Sequence, residues 1–286
     1  MDPASGTTLS RQRKGVVLMA IAMLSIPGVD GFAKYLSADF SPLFVSWGRY
    51  AVACCIVLPL AFLRCGWRIL PAERLGAHAL RTALLVASMT LYFLAIASIP
   101  LATAISAFFI GPIVAVVLSV LVLKERLTRW KILSLLLGCL GALVILRPGG
   151  TIEFGLILAF GSGQCFSLYM IATRYASMGS DPVRTLAFQC LFGALLLVPQ
   201  AVWSWRTPEP GDLPFFLGLG VFSTLSHLLS IAAFRLADAS TLAPLVYLEL
   251  LGAAAIGYFM FDEVPGAATL LGAALIVGGG LVLLRR

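Results

Sequence analysis

Charge is what this chain lacks. Only 12% of its 286 residues are Asp, Glu, Lys or Arg, against 60% hydrophobic residues, whereas soluble domains carry about 25% charged residues. No soluble core of this size needs so much apolar sequence. Groups for chemistry are also scarce. The two histidines and 13 acidic residues are scattered singly. A membrane-embedded enzyme needs clustered carboxylates, histidines or a nucleophile beside a base, so it remains only a distant alternative. No GxxxxGK[ST] motif is present, so the chain does not itself hydrolyse ATP. Metal spacing such as CxxC is missing too. Most of the six cysteines (Cys54, Cys55, Cys65, Cys139, Cys165 and Cys190) lie inside apolar runs and read as small buried hydrophobes. Neither a metal nor a cofactor is implied. Short alternating strands are absent, which argues against an outer-membrane barrel.

What is present is apolar sequence in runs of about 20 residues, each long enough to cross roughly 30 Å of hydrocarbon as a helix. Ten spans are expected, at about 15–36, 43–63, 81–98, 101–123, 130–147, 153–173, 183–203, 213–235, 240–261 and 265–284. Breakers such as Ser41-Pro42, Ile99-Pro100, Pro148-Gly149-Gly150 and Asp181-Pro182 mark the gaps. No cleavable leader is evident, so the first span is expected to be retained. With the N-terminus in the cytoplasm, 16 of the 20 basic residues fall on the cytoplasmic side. Lys34, Arg147 and Arg206 fall on the far side, and Arg49 lies within a span. That bias is a positive-inside signal. It places both termini in the cytoplasm, N-in/C-in, and accounts for the net charge of +7 without nucleic acid.

The chain also repeats itself. Ala33-Lys34-Tyr35-Leu36-Ser37 followed by Ser41-Pro42 returns as Thr173-Arg174-Tyr175-Ala176-Ser177 followed by Asp181-Pro182, a shift of 140 positions that Pro59 and Pro199 share. At a shift of 138, Leu123-Lys124-Glu125 aligns with Phe261-Asp262-Glu263, and Arg147 with Arg285. The reading is a cytoplasmic tail (1–14), a five-span repeat (15–147), a linker (148–152) and a second repeat (153–286). Five is odd, so the second copy is expected to be inverted. Inverted repeats are a common plan of secondary transporters.

Three segments carry a family resemblance. They are Phe44-Val45-Ser46-Trp47-Gly48-Arg49-Tyr50, the stretch from Ala95 through Ser98-Ile99-Pro100-Leu101-Ala102 to Pro112, and Leu123-Lys124-Glu125-Arg126-Leu127 with Gly138 and Gly141. Together they resemble the EamA type of the drug/metabolite transporter superfamily. Asp30 four residues before Lys34 is similar to a subgroup that includes S-adenosylmethionine carriers. The resemblance implies an all-α polytopic inner-membrane protein with a central cavity lined by spans 1, 3, 4, 6, 8 and 9. It implies alternating access and a small-metabolite substrate, amino acids and export being the leading expectation. Uptake or exchange of S-adenosylmethionine or an organic anion is the alternative. The implied surroundings are substrate, membrane lipid and a coupling proton.

Polar groups inside the spans are the candidate site, because charge near the bilayer centre is costly and marks function. Glu249, near the middle of span 9 and beside Tyr247, suits a substrate ammonium or a coupling proton. Asp30 and Arg49 either form a structural ion pair or offer a zwitterion its two anchors. His227 sits among Ser223, Thr224, Ser226 and Ser230, as a proton carrier, a substrate contact or part of a helix–helix hydrogen-bond seam. Gln164, Tyr92 and Trp47 are further contacts or packing residues. Gly111 and Pro112 are expected to form a hinge near the middle of span 4. Glu125 and Glu263 are expected to cap the helix that follows each. Ser134, Gly138 and Gly141 in span 5, and Gly272 and Gly278 to Gly280 in span 10, allow close packing within a monomer or across a homodimer.

Overall fold

In hydrocarbon every backbone N–H and C=O must be bonded within the segment, so apolar runs become helices. The computed structural model describes residues 3–96, 107–146, 154–252, 255 and 267–284. Its helices in chain order are α1 (Pro3–Leu36), α2 (Pro42–Cys65), α3 (Leu75–Ile96), α4 (Gly111–Leu123), α5 (Arg129–Leu146), α6 (Phe154–Ser177), α7 (Pro182–Trp203), α8 (Leu213–Leu236), α9 (Ala239–Gly252) and α10 (Ala267–Leu284). Among the described residues 6 helices (α1, α2, α3, α6, α7 and α8) are long and apolar enough to cross a membrane, and α4, α9 and most of α10 are shorter apolar helices. The outer face carries large apolar side chains open to lipid. Trp67 and Trp203 are 90% and 93% exposed at opposite ends of the bundle, as in an aromatic belt. This is a multi-pass membrane protein.

The duplicated prolines set local structure. Pro42 and Pro182 stand in the first turn of α2 and α7, where a missing N–H costs nothing. Asp181 caps α7 by accepting from the N–H groups of Val183 (2.9 Å) and Arg184 (3.4 Å). The most extensive pairings are α1 with α8, α3 with α6, α5 with α10 and α2 with α7. Exchanging α1–α5 for α6–α10 sends the first pair onto the second and each of the last two onto itself. The small-residue stripes meet inside this chain: a Cβ on Gly141 would lie 2.6 Å from the carbonyl oxygen of Gly272, and one on Gly279 3.0 Å from that of Ser134.

Several elements differ from expectation. Residues 3–14, read as a tail, continue α1. Helix α3 starts at Leu75 rather than near 81, directly after Arg74 turns the chain with φ 54°. That earlier start draws His78 and Arg81 into the bundle, where both are 0% exposed. Residues 107–108 are helical, the chain turns at 109–110, and α4 starts at Gly111 and Pro112, so the break inside the expected span 101–123 is a turn between helical segments rather than a bend. In α9, Ala243–Leu248 forms a 3₁₀ stretch containing Pro244. Glu125 does cap a helix start, but not that of α5. Its Oε1 accepts from Ala239 N–H (3.0 Å), and its Oε2 from Ser240 N–H (2.9 Å) and Ser240 Oγ (2.6 Å). The Lys34 side chain, Ile99-Pro100-Leu101-Ala102, Arg147, the linker 148–152, Phe261-Asp262-Glu263, Arg285 and Arg286 lie outside the described residues.

Candidate functional site

A central cavity gathers five of the eight predicted contact residues. Asp30, Arg49, Tyr92, His227 and Glu249 all line it. Asp30 comes from α1, Arg49 from α2 and Tyr92 from α3, while His227 comes from α8 and Glu249 from α9.

Asp30 and Arg49 share the cavity wall, yet among the described residues they form no ion pair. Arg49 is 5% exposed. It reaches the Met89 sulfur through one terminal nitrogen, and its guanidinium carbon lies 4.8 Å from the centre of the Tyr50 ring. Its Nε has no partner. A sulfur and a ring are weak compensation for a buried charge, so the guanidinium keeps capacity for an anionic group. Asp30 and Glu249 likewise stand on the wall, and among the described residues no cation is bonded to either. Ser226 Oγ donates to Ser223 O on its own helix (3.1 Å); the hydroxyl satisfies its own backbone, and His227 faces the cavity beside both serines.

The other three candidates lie outside this lining. Trp47 belongs to an aromatic cluster, 5.7 Å from both Phe44 and Trp205 between ring centres. Tyr247 is fully buried; it donates its hydroxyl to Phe109 O (3.0 Å), and its ring fills the space above Gly138. Tyr247 and Glu249 are two residues apart and so face opposite sides of the helix, whatever its pitch. Gln164 is half-buried, with its Nε2 unpartnered. Gly111 and Pro112 are also outside the lining. Gly111 is demanded by packing: a Cβ there would sit 2.8 Å from Gly163 O, and Ser167 Oγ donates 2.7 Å to the Gly111 carbonyl.

Sequence reading missed the aromatic wall. Phe93, Phe108, Phe109 and Phe166 line the cavity, and Phe108 packs 5.2 Å from Phe166 and 5.5 Å from Tyr92. Phenylalanine in an apolar run carries no signal of which way it faces. Ser162, in the polar stripe that Gly161-Ser162-Gly163 and Gln164 give span 6, meets Ser88, which carries no such signal. They exchange hydrogen bonds between α3 and α6, Ser88 Oγ to Ser162 O at 3.0 Å and Ser162 Oγ to Ser88 O at 2.7 Å. A second polar centre surrounds Arg81, read from sequence as a cytoplasmic surface charge. It donates to Thr173 Oγ1 (3.1 Å), Tyr169 OH (3.4 Å), Gln189 Oε1 (2.6 Å) and Thr185 O (3.5 Å), tying α3 to α6 and α7. Gln189 is the repeat counterpart of Arg49.

A two-repeat helical bundle around a charged, aromatic-walled cavity defines a carrier of small metabolites. The EamA-like transporter family model matches residues 13–147 and again 153–285, and the chain belongs to that family. It is 26% identical to an S-adenosylmethionine uptake transporter of Rickettsia felis, over 94% of this chain and 92% of that protein. It is 28% identical to a riboflavin transporter of Vibrio cholerae, over 92% and 90%. A solved crystal structure that is 18% identical superposes with a TM-score of 0.81 over 93% of this chain and 95% of that one, so the two share a fold. The protein is a transporter of small molecules, not an enzyme.

Proposed function

We propose that this chain is a secondary transporter of a zwitterionic amino-acid derivative that also carries a second cation and a flat aromatic group, with S-adenosylmethionine as the type compound. The observation that carries this reading is the charge make-up of the cavity: two carboxyls, Asp30 and Glu249, one guanidinium, Arg49, and an aromatic wall. S-adenosylmethionine has an ammonium, a sulfonium, one carboxylate and an adenine ring. The two carboxyls suit the two cations and Arg49 suits the carboxylate. Tyr92, Phe108 and Phe166 offer π-faces to the ring and to a cation. The name of the Rickettsia felis relative agrees with this class. Its direction, uptake, replaces export as the first direction to test. Glu249 also serves as the coupling-proton carrier, since a midplane carboxyl can exchange a proton for a substrate cation.

The organisation is ten spans in two inverted five-span repeats, both termini cytoplasmic, in the inner membrane. The repeat-exchanged helix pairing and the basic end at Lys124, Arg126, Arg129, Lys131, Arg174 and Arg235 support it. Rocking of one repeat against the other exposes the cavity to each side in turn. A plain amino acid, exported, is the second reading: Arg49 and one carboxyl suffice for a zwitterion and the other carboxyl carries the proton, but the aromatic wall then has no task.

The test is uptake of labelled S-adenosylmethionine into proteoliposomes, with competition by S-adenosylhomocysteine, methionine and riboflavin. Saturable uptake, with S-adenosylmethionine the best competitor, supports the class. Stronger competition by methionine moves the assignment to plain amino acids, and stronger competition by riboflavin removes the role given to the carboxyls.

A further inference from the structure

The basic end of the bundle carries an ion network that joins the two repeats. Glu125 at the end of α4 holds Ala239 and Ser240 at the start of α9 through three short hydrogen bonds. Lys131 in the first turn of α5 is 3% exposed; it donates to Asp238 Oδ2 (2.9 Å), Ser240 Oγ (2.7 Å) and Arg126 O (3.2 Å). Arg174 near the end of α6 pairs with Glu125 (3.8 Å) and Asp238 (3.3 Å) and also donates to Phe234 O. Two acids and two bases thus form a neutral, half-buried set. The bonds from Glu125 to Ala239, Ser240 and Arg174, and those from Lys131 to Asp238 and Ser240, all run between the first and the second repeat.

The cavity lies on the other side of an apolar layer from this network. Along α6 the order is Phe166 in the cavity, then Met170, then Arg174 in the network. From α8 onward it is His227, Phe234 and Asp238, and through α9 it is Glu249, Leu242 and Ser240. Met170, Phe234 and Leu242 are all 0% exposed. The closure therefore has two layers, an apolar plug under a charged rim. Rim bonds that join the α4–α5 junction to the junction of α8 and α9 break together when these two segments part.

We propose that Glu125, Lys131, Arg174, Asp238 and Ser240 form the latch of the basic end, positioning residues that hold the cavity shut on that side and set how readily it opens there. The inference rests on the alternating-access reading but not on the substrate. Removing one charge leaves a partner buried and unpaired in the closed state, which penalises that state. Glu125→Gln weakens the latch and leaves Arg174 with only Asp238 and the Phe234 carbonyl. Ser240→Ala deletes two hydroxyl contacts and strands no charge.

The test is sided thiol labelling, which needs no substrate. Met170→Cys is placed in a chain whose six native cysteines are replaced, and a membrane-impermeant maleimide is applied to either side of oriented vesicles. A control cysteine at Ala187, 0% exposed in a separate core cluster, reads general loosening. Glu125→Gln is expected to accelerate labelling at position 170 by about tenfold, from the basic end only, with position 187 still protected. Ser240→Ala should do the same to a smaller degree. Exchanging the charges in Lys131→Asp with Asp238→Lys should restore slow labelling that either single change loses. Unchanged labelling at 170 in both Glu125→Gln and Ser240→Ala, or equal acceleration at 170 and 187, overturns the latch. If Glu125→Gln does not fold, Ser240→Ala and the charge exchange decide. A wild type that carries no S-adenosylmethionine but obeys the labelling pattern refutes the substrate class and leaves the latch standing.

Discussion

Arg49 and Arg81 are both buried arginines without a carboxylate bonded to them among the described residues, but they are satisfied to different degrees. Arg81 spends its donors on two hydroxyls, an amide oxygen and a carbonyl. Arg49 has a sulfur, a ring and an unpartnered Nε. The first is a structural cross-link; the second is the group to which the proposed function gives the substrate carboxylate. Arg49→Lys is expected to raise the KM for a carboxylate-bearing substrate about tenfold or more while the protein stays folded, because an ammonium cannot reproduce the planar fork. Arg81→Met is expected to lower thermal stability by about 1–3 kcal/mol, because it leaves Gln189 and Thr173 unbonded, with KM little changed. Kinetics and melting of the two purified variants check both; a KM effect at Arg81 equal to that at Arg49 would merge their roles. Glu249→Gln and Asp30→Asn are each expected to reduce S-adenosylmethionine transport to the level of empty vesicles. Glu249→Gln should in addition abolish the response to an imposed proton gradient.

Among the elements, α4 and α9 are the irregular pair. One begins at Gly111-Pro112 and the other carries the 3₁₀ stretch around Pro244. Such breaks within spans mark places where a helix can change pitch. Pro112→Ala and Pro244→Ala are expected to slow exchange several-fold with little change in KM; a matching loss of affinity would make both prolines simple packing residues. Gly111→Ala is expected to destabilise the protein, since its Cβ meets the Gly163 carbonyl at 2.8 Å, and backbone cannot step aside cheaply. The helices themselves were legible from apolar runs and duplicated prolines, with starts such as Pro42 and Pro182 falling within a residue of the breakers. The early start of α3 was not, because His78 and Arg81 look like loop residues until their burial is seen. The five charged or polar cavity residues were legible because polarity inside a span is rare. The phenylalanines were not, since only the packing of α3, α4 and α6 decides which of them face the cavity. Pro244 was visible in the sequence, but only a structure separates a break in pitch from a mild kink.

At the scale of the whole molecule, the chain divides into a cavity, an apolar plug and a latch stacked along the bundle axis. The repeats bond to each other through the network at the basic end and through the α5–α10 stripe. The cavity offers a substrate two carboxyls, one guanidinium and a wall of rings. Each level follows from the one below. Duplicated sequence yields paired helices, and the pairing leaves two carboxyls, one guanidinium and a wall of rings facing a common space. The most direct measurement is counterflow in proteoliposomes preloaded with unlabelled S-adenosylmethionine and given labelled S-adenosylmethionine outside, run beside Glu249→Gln. Saturable accumulation in the wild type and none in the folded variant is the expected result. Equal accumulation in both, or none in a correctly inserted wild type, would contradict the assignment of the cavity as the transport site for this class of substrate.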